Sequence, residues 1–200
     1  MMLIYHKAFN MRVSLSGNIG CGKSTMINML KTKGFDVFQE PVDKWKHLKL
    51  FYEDKKRWGF TFQMEVLQSY IACKNISGGL TICERSPWES YCIFAHMLVD
   101  EGVITKDEFQ LLKQFTESLA WKPDLCIYLY TDPDVSLSRI KIRNRMCESS
   151  ITIDYLETLH QQYEKTFSYD SIRIDANASE EIVFQKVIDA INKPMKTIFS

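Results

Sequence analysis

Gly17-Asn18-Ile19-Gly20-Cys21-Gly22-Lys23-Ser24 keeps the spacing G-x-x-x-x-G-K-[ST], with Thr25 next in the chain. These residue types at this spacing hold polyphosphate. Glycines let backbone N–H groups curl around phosphate oxygens, and a helix opening at the lysine adds partial positive charge. Lys23 reaches the β- and γ-phosphates, and the Ser24 hydroxyl is placed to coordinate Mg²⁺. A glycine-rich turn that merely starts a helix is the competing reading. With average residue usage, a chance match in a chain of this length is about 1%.

Such a loop needs a strand before it and a helix after it, and both are legible. Arg12–Ser16 reads as a strand and Lys23–Lys33 as a helix. Further short apolar runs, Asp36–Gln39, Leu80–Cys83, Leu125–Tyr130 and Ile172–Asp175, read as strands. Leu125–Tyr130 is nearly continuous in apolar residues, as in strands covered on both faces. Helical patterns fall at Thr61–Lys74, Pro87–Asp100, Lys106–Leu119, Pro133–Arg143, Ile153–Thr166 and Glu180–Asn192. Pro87 and Pro133 suit a first helical turn, and Thr105 with Glu108 resembles a capping box. The alternation predicts an α/β fold: five parallel strands with helices on both faces. One domain is expected over 11–200, after a short N-terminal extension, 1–10.

The 200 residues carry 25 basic and 25 acidic side chains, so charge gives no argument for a nucleic-acid polymer or a membrane surface as partner. The six cysteines include no Cys-x-x-Cys pair and several lie in apolar runs, which suggests free thiols in a reducing compartment. No run approaches membrane-spanning length. A soluble cytoplasmic protein is expected.

A phosphate loop identifies a nucleotide, not a reaction. Three further segments narrow the choice: Glu40-Pro41-Val42-Asp43-Lys44-Trp45 after the second strand, Glu84-Arg85-Ser86 after the third, and Arg139-Ile140-Lys141-Ile142-Arg143-Asn144-Arg145, followed by Glu148, after the fourth. In this order and spacing they resemble the deoxyribonucleoside kinase family, which includes cellular deoxynucleoside kinases and related viral thymidine kinases. The resemblance runs from about Arg12 to the C-terminal region. It implies a P-loop kinase fold with an arginine-rich lid, ATP as phosphate donor with Mg²⁺, and a homodimer, with Pro87–Asp100 and Lys106–Leu119 as candidate pairing helices.

The resemblance also implies roles. Glu40, at a strand's carboxyl end, would accept the proton of the sugar 5′-hydroxyl. A carboxylate suits a largely dissociative transfer that asks mostly for positioning. Glu84 would help hold Mg²⁺ through water, and Arg85 would steady the 5′-oxygen and the incoming phosphoryl group. A local surface ion pair is the bland alternative for these two. Arg139, Arg143 and Arg145 would close over ATP; residues 139 and 143 are four apart and share a helix face. Glu148 would bind the 3′-hydroxyl. Cys147 stands where the family commonly has a first acidic residue.

Around the base, Gln63, Val66 and Tyr70 share one face of a helix opened by Phe62-Gln63, and Ser86, Ser90, Phe94 and Leu98 share a face of the next. The family pairs the glutamine with the base edge and stacks the residue matching Phe94 upon it. Trp45 and Tyr52 match an aromatic wall and a 3′-hydroxyl partner. Aromatic residues at helical spacing are often plain core, but a buried amide among them needs partners. Family members that accept purines or strongly favour deoxycytidine commonly carry an arginine and an aspartate at the positions of Tyr70 and Ser90. Their absence predicts a pyrimidine acceptor, thymidine first and deoxycytidine second. A thymidylate kinase and a non-catalytic ATP-binding sensor are the rival readings. The first typically has Asp-Arg in place of Glu84-Arg85-Ser86, and the second has no use for Glu40, Arg85 and the arginines together.

Overall fold

The computed structural model describes residues 10–72, 79–145, 148–167 and 171–193. Most of the expected extension, and Cys73 and Cys147, lie outside them. Five strands form one parallel sheet in the order β2-β3-β1-β4-β5. They are β1 (Asn10–Ser16), β2 (Asp36–Phe38), β3 (Gly79–Glu84), β4 (Leu125–Tyr130) and β5 (Ile172–Asp175). Asn10 thus belongs to the first strand, not to an extension.

The period-2 alternation of the strands divides the core. Val13, Leu15, Ile82, Ile127, Leu129 and Ile174 meet α1 (Lys23–Thr32) and α9 (Glu180–Asn192) on one face. Cys83 and Tyr128 face the other side, toward α3 (Lys55–Ala72), α6 (Lys106–Leu119) and α8 (Ile153–Phe167). Thr105 and Glu108 form both bonds of the capping box at the start of α6. The remaining helix on the carboxyl side of β4 is α7 (Pro133–Arg143), with Pro133 in its first turn. The four described cysteines, Cys21, Cys83, Cys92 and Cys126, are free thiols. Among the described residues no helix is long and apolar enough to cross a membrane.

The segment between β2 and β3 departs most from the sequence reading. Helix α3 begins at Lys55 rather than Thr61, so Phe62 and Gln63 lie within it and do not open it. It opens on three basic residues, Lys55-Lys56-Arg57, and carries Gly59, a poor helix former, just beyond its first turn. Asp54 caps it nonetheless, accepting from the Arg57 N–H at 3.0 Å. Gly59 has a packing reason: a Cβ there would stand 2.8 Å from Val103 Cγ1. The segment after Glu40 contains a 3-10 turn, Val42–Lys44, and a short helix α2, Leu48–Glu53, which no periodicity announced.

The Pro87–Asp100 segment is not a uniform helix. It runs as α4 (Pro87–Glu89), a π-helical turn (Ser90–Ala95) and α5 (His96–Asp100). Wider turns of this kind recur at functional sites. Here the turn carries Ser90 and Phe94 to the cavity, while Ser86 stays behind as the helix cap, accepting from the Glu89 N–H at 3.2 Å. The expected face of Ser86, Ser90, Phe94 and Leu98 therefore loses its first member.

Candidate active site

The strand order puts the carboxyl ends of β2, β3 and β1 side by side, and each leads into one motif. Ligands of open α/β sheets bind at this edge. The phosphate loop leaves β1 through Gly17, Gly20 and Gly22, all at positive φ (144°, 81° and 101°). At Gly20 a Cβ would also lie 2.5 Å from the Ser136 carbonyl oxygen and at Gly17 2.7 Å from the Leu129 carbonyl oxygen, so these two answer to packing as well as torsion, and Gly22 to torsion alone. Lys23 Nζ donates to the carbonyl oxygens of Gly17 (2.8 Å) and Asn18 (2.7 Å). The Asn18 amide donates to the Leu156 carbonyl at 2.9 Å, tying the loop to α8.

Ser24 Oγ donates to Glu84 Oε1 at 2.6 Å, and the Glu40 N–H donates to Glu84 Oε2 at 3.3 Å. Burial, then the neighbouring charge of Glu40, pushes the Glu84 carboxyl above its ordinary range, against the pull of Lys23. Among the described residues no group of three acidic, histidine or cysteine side chains stands ready for a metal. The oxygen pair Ser24–Glu84 nevertheless suits Mg²⁺, which is held by few protein oxygens together with water and phosphate.

Arg85 is the hub. Its backbone is left-handed (φ 61°), uncommon for a non-glycine residue and typical of functional positions. Nη1 donates to Glu40 Oε2 at 2.5 Å, Nη2 to the Gly17 carbonyl at 3.2 Å, and Nε to Glu89 Oε1 at 3.0 Å. The guanidinium lies over the Phe94 ring, 5.1 Å from its centroid. Glu40 Oε1 takes the Tyr70 hydroxyl at 2.5 Å. The ion pair of Arg85 and Glu40 is therefore interior, not on the surface: the side chains are 9% and 4% exposed.

These groups face one continuous cavity of about 610 Å³. All the sequence-predicted residues line it, from Ile19, Cys21 and Thr25 through Trp45, Tyr52, Phe62 and Val66 to Arg139, Arg143, Arg145 and Glu148, except Gly17, Asn18 and Ser86. Gly17 and Asn18 instead brace the loop through their carbonyl oxygens, which accept from Lys23. Gln63 Oε1 accepts from Ser90 Oγ at 3.2 Å, giving the buried amide the partner it requires. Trp45 is carried by a segment that Glu65 staples to α3, accepting the N–H groups of Lys46 (2.9 Å) and His47 (3.0 Å).

The arginines after β4 are not directed at the phosphate loop. Arg139 Nη2 donates to the Ala176 carbonyl at 2.9 Å. Arg143 donates to Glu148 Oε2 through Nε (3.1 Å) and Nη2 (2.7 Å), and Arg145 Nη1 lies 3.5 Å from Glu148 Oε1.

Sequence reasoning missed Glu89 and Tyr163. Glu89 Oε1 accepts from Arg85, from the Tyr163 hydroxyl at 2.5 Å and from the Gly17 N–H at 3.5 Å, while the buried Oε2 has no hydrogen-bond partner among the described residues. Burial raises the Glu89 carboxyl above its ordinary value, with Arg85 and Lys23 opposing. Glu89 follows Arg85 by four residues, a spacing that the sequence does contain, although Arg85 itself precedes the helix. Tyr163 gave no signal, because α8 reaches Arg85 only through tertiary packing.

A phosphate loop with acidic and basic groups at its side, set at the carboxyl edge of a parallel sheet, defines a P-loop phosphotransferase. Comparison with known proteins narrows the class. The model of the deoxynucleoside kinase family matches residues 13–198, and the chain belongs to that family. A Fowlpox virus protein described as a deoxycytidine kinase is 38% identical over 168 residues, 78% of this chain and 72% of its own. The thymidine kinase of Ictalurid herpesvirus 1 is 32% identical, over 88% of this chain and 84% of its own. Among solved structures, deoxyadenosine kinase from M. mycoides with dCMP and dCDP bound superposes with a TM-score of 0.81 at 26% identity, covering 91% of this chain and 98% of that one. The chain is an enzyme that phosphorylates deoxynucleosides, with a nucleotide as donor.

Proposed function

We propose that the enzyme transfers the γ-phosphate of ATP to the 5′-hydroxyl of a pyrimidine deoxyribonucleoside, thymidine ahead of deoxycytidine. The relatives' names span thymidine, deoxycytidine and deoxyadenosine, so the family does not choose among bases. The observation that carries the reading is the Tyr70 hydroxyl on Glu40. With that hydroxyl committed, the wall beyond Gln63 meets the base as an aromatic ring, without the charged pair of purine- and deoxycytidine-directed relatives. The amide of Gln63 offers a donor beside an acceptor to either pyrimidine. Val66, Met97 and Leu98 give the cavity apolar surface suited to a 5-methyl group, a preference of about 1–3 kcal/mol.

In this reading Glu40 accepts the 5′-hydroxyl proton as the oxygen bonds to phosphorus. Each carboxylate oxygen has two acceptor sites, so the bonds from Tyr70 and Arg85 leave room for the acceptor. Arg85 steadies the 5′-oxygen. Lys23 leaves the loop carbonyls for the phosphates, and Arg143 exchanges Glu148 for the transferred group, where positive charge counts most in a desolvated site. Ser24 and Glu84 would hold Mg²⁺, which supplies charge neutralisation between the phosphates. Glu148 and Tyr52 take the 3′-hydroxyl. The products are the nucleoside 5′-monophosphate and ADP. The chain works as a homodimer through α6 and the segment of Pro87–Asp100, a proposal supported by the half-exposed Leu111 and Phe115 (41% and 37%) on α6.

Phosphoryl transfer from ATP measured in parallel on thymidine, deoxycytidine, deoxyadenosine, deoxyguanosine and dTMP tests this. Thymidine should have the highest kcat/KM. Equal or better efficiency on a purine nucleoside would overturn the pyrimidine claim, a clear lead for deoxycytidine the thymidine claim, and a lead for dTMP the acceptor class.

A further inference from the structure

Tyr70 lies on α3 two turns beyond Gln63, so one helix face carries both the amide that meets the base and this phenol. The ring is 1% exposed, lines the cavity and packs against Phe38 with centroids 6.0 Å apart. Its hydroxyl donates to Glu40 Oε1 at 2.5 Å, while Arg85 Nη1 holds Oε2 at the same distance. The two donors come from different elements and grip opposite oxygens, which fixes the carboxylate plane. Neither donor can leave without stranding a buried polar group.

We infer that Tyr70 is the positioning residue of Glu40, and that through its ring the fit of the acceptor base is transmitted to the carboxylate. This rests on the reading of Glu40 as proton acceptor. Tyr70 itself touches no reacting atom. Burial, then the charge of Glu40, keeps its phenol protonated well above the usual value, so it acts as a fixed donor and not as an acid. A base that fits leaves the ring, and hence the carboxylate, in place. A base with a second ring pushes the tyrosine aside and takes its hydroxyl off Glu40, so that it binds but turns over slowly. Acceptor discrimination then resides in kcat more than in KM, as expected when a group acts on the transition state through placement.

The test is Tyr70→Phe, which keeps the ring and removes the hydroxyl, measured with and without Glu40→Gln. In the parent background kcat on the preferred pyrimidine should fall on the order of ten- to a hundredfold with KM little changed. In the Glu40→Gln background the same change should cost nothing further, because its effect runs through the carboxylate. Unchanged kcat, or an equal fall in both backgrounds, would overturn the inference. If Tyr70→Phe does not accumulate folded, 3-fluorotyrosine at position 70 keeps shape and hydroxyl while sharpening the donor. A shift in kcat at constant KM then supports the inference, and no shift overturns it. Full activity of Glu40→Gln alone would sink the reading of Glu40 instead. An inactive Glu40→Gln beside a fully active Tyr70→Phe would sink only the role of Tyr70.

Discussion

Arg85 and Glu89, four residues apart around the start of α4, are joined by a 3.0 Å ion pair in which the carboxylate side chain is fully buried. The Glu89 oxygen that takes Arg85 also takes Tyr163, and Arg85 in turn reaches the Gly17 carbonyl. One carboxylate thus ties the arginine that bridges donor and acceptor to the loop that holds the donor. Breaking a buried pair by removing one partner is costly when the other charge is left uncompensated, but Arg85 keeps Glu40 as counter-ion when Glu89 is neutralised.

Glu89→Gln should therefore separate activity from stability. Because burial raises the carboxyl above its ordinary 4.5, the folded state holds the proton more tightly than the unfolded chain. Stability from this group is then full at acid pH and falls as pH rises past 4.5, through to the raised folded value. Gln removes that penalty. The variant's melting temperature at pH 7.5 should be no lower than the parent's, with its relative advantage shrinking toward pH 4.5, while kcat falls about tenfold as Arg85 loses its anchor. Thermal melts across pH, run beside initial rates, check both halves. A large loss of stability at pH 7.5 with kcat unchanged would contradict the account.

Lys23→Ala should abolish turnover and leave the fold intact. Lys23 is 5% exposed and its ammonium spans two loop carbonyls, so its loss costs a few kcal/mol at most in loop hydrogen bonding, about 1.5–3 kcal/mol for each bond. The charge it brings to the phosphates has no substitute within the loop. Near-parental rates from a folded Lys23→Ala protein would end the phosphate-loop argument.

Arg143→Ala should lower kcat more than it raises the nucleoside KM. In the structure Arg143 makes a two-pronged pair with Glu148, and its side chain is 31% exposed, so it can exchange partners at small cost. Its charge then acts on the moving phosphoryl group. Steady-state rates with nucleoside and ATP varied separately give the split. An unchanged maximal rate would remove Arg143 from the catalytic set.

Where local chemistry was sufficient, the sequence was legible. The glycines at positive φ, the prolines in first helical turns and the Thr105 capping box each announce their own conformation. The apolar run Leu125–Tyr130 announces a strand with two covered faces. The early start of α3 was hidden because Gly59 weakens the local helical signal and is justified only by Val103 packed against it. The π turn was hidden for a similar reason, since propensity does not distinguish it from an α turn. In the site, the phosphate-loop residues could be named from their types and spacing, and the acceptor-side residues from the family resemblance of their motifs. Their present partners could not. Tyr70 reaches Glu40 and Arg143 reaches Glu148 through contacts that depend on how separate elements pack. Glu89 shows the limit most clearly: its spacing to Arg85 was visible, but nothing in the chain said that this turn lies behind the phosphate loop.

The central claim is that Glu40 takes the acceptor's proton, and Glu40→Gln tests it most directly. Amide replaces carboxylate at nearly constant shape; its oxygen can accept from Arg85 while its NH2 donates to the Tyr70 hydroxyl oxygen, so placement is largely kept while basicity is lost. Nucleoside affinity and kcat at saturation should be measured on the same protein. The account predicts affinity close to the parent's and a kcat reduced by about 10²–10⁴-fold, the usual weight of a positioned general base. A collapse of nucleoside binding with kcat unchanged would make Glu40 a binding residue and contradict the account.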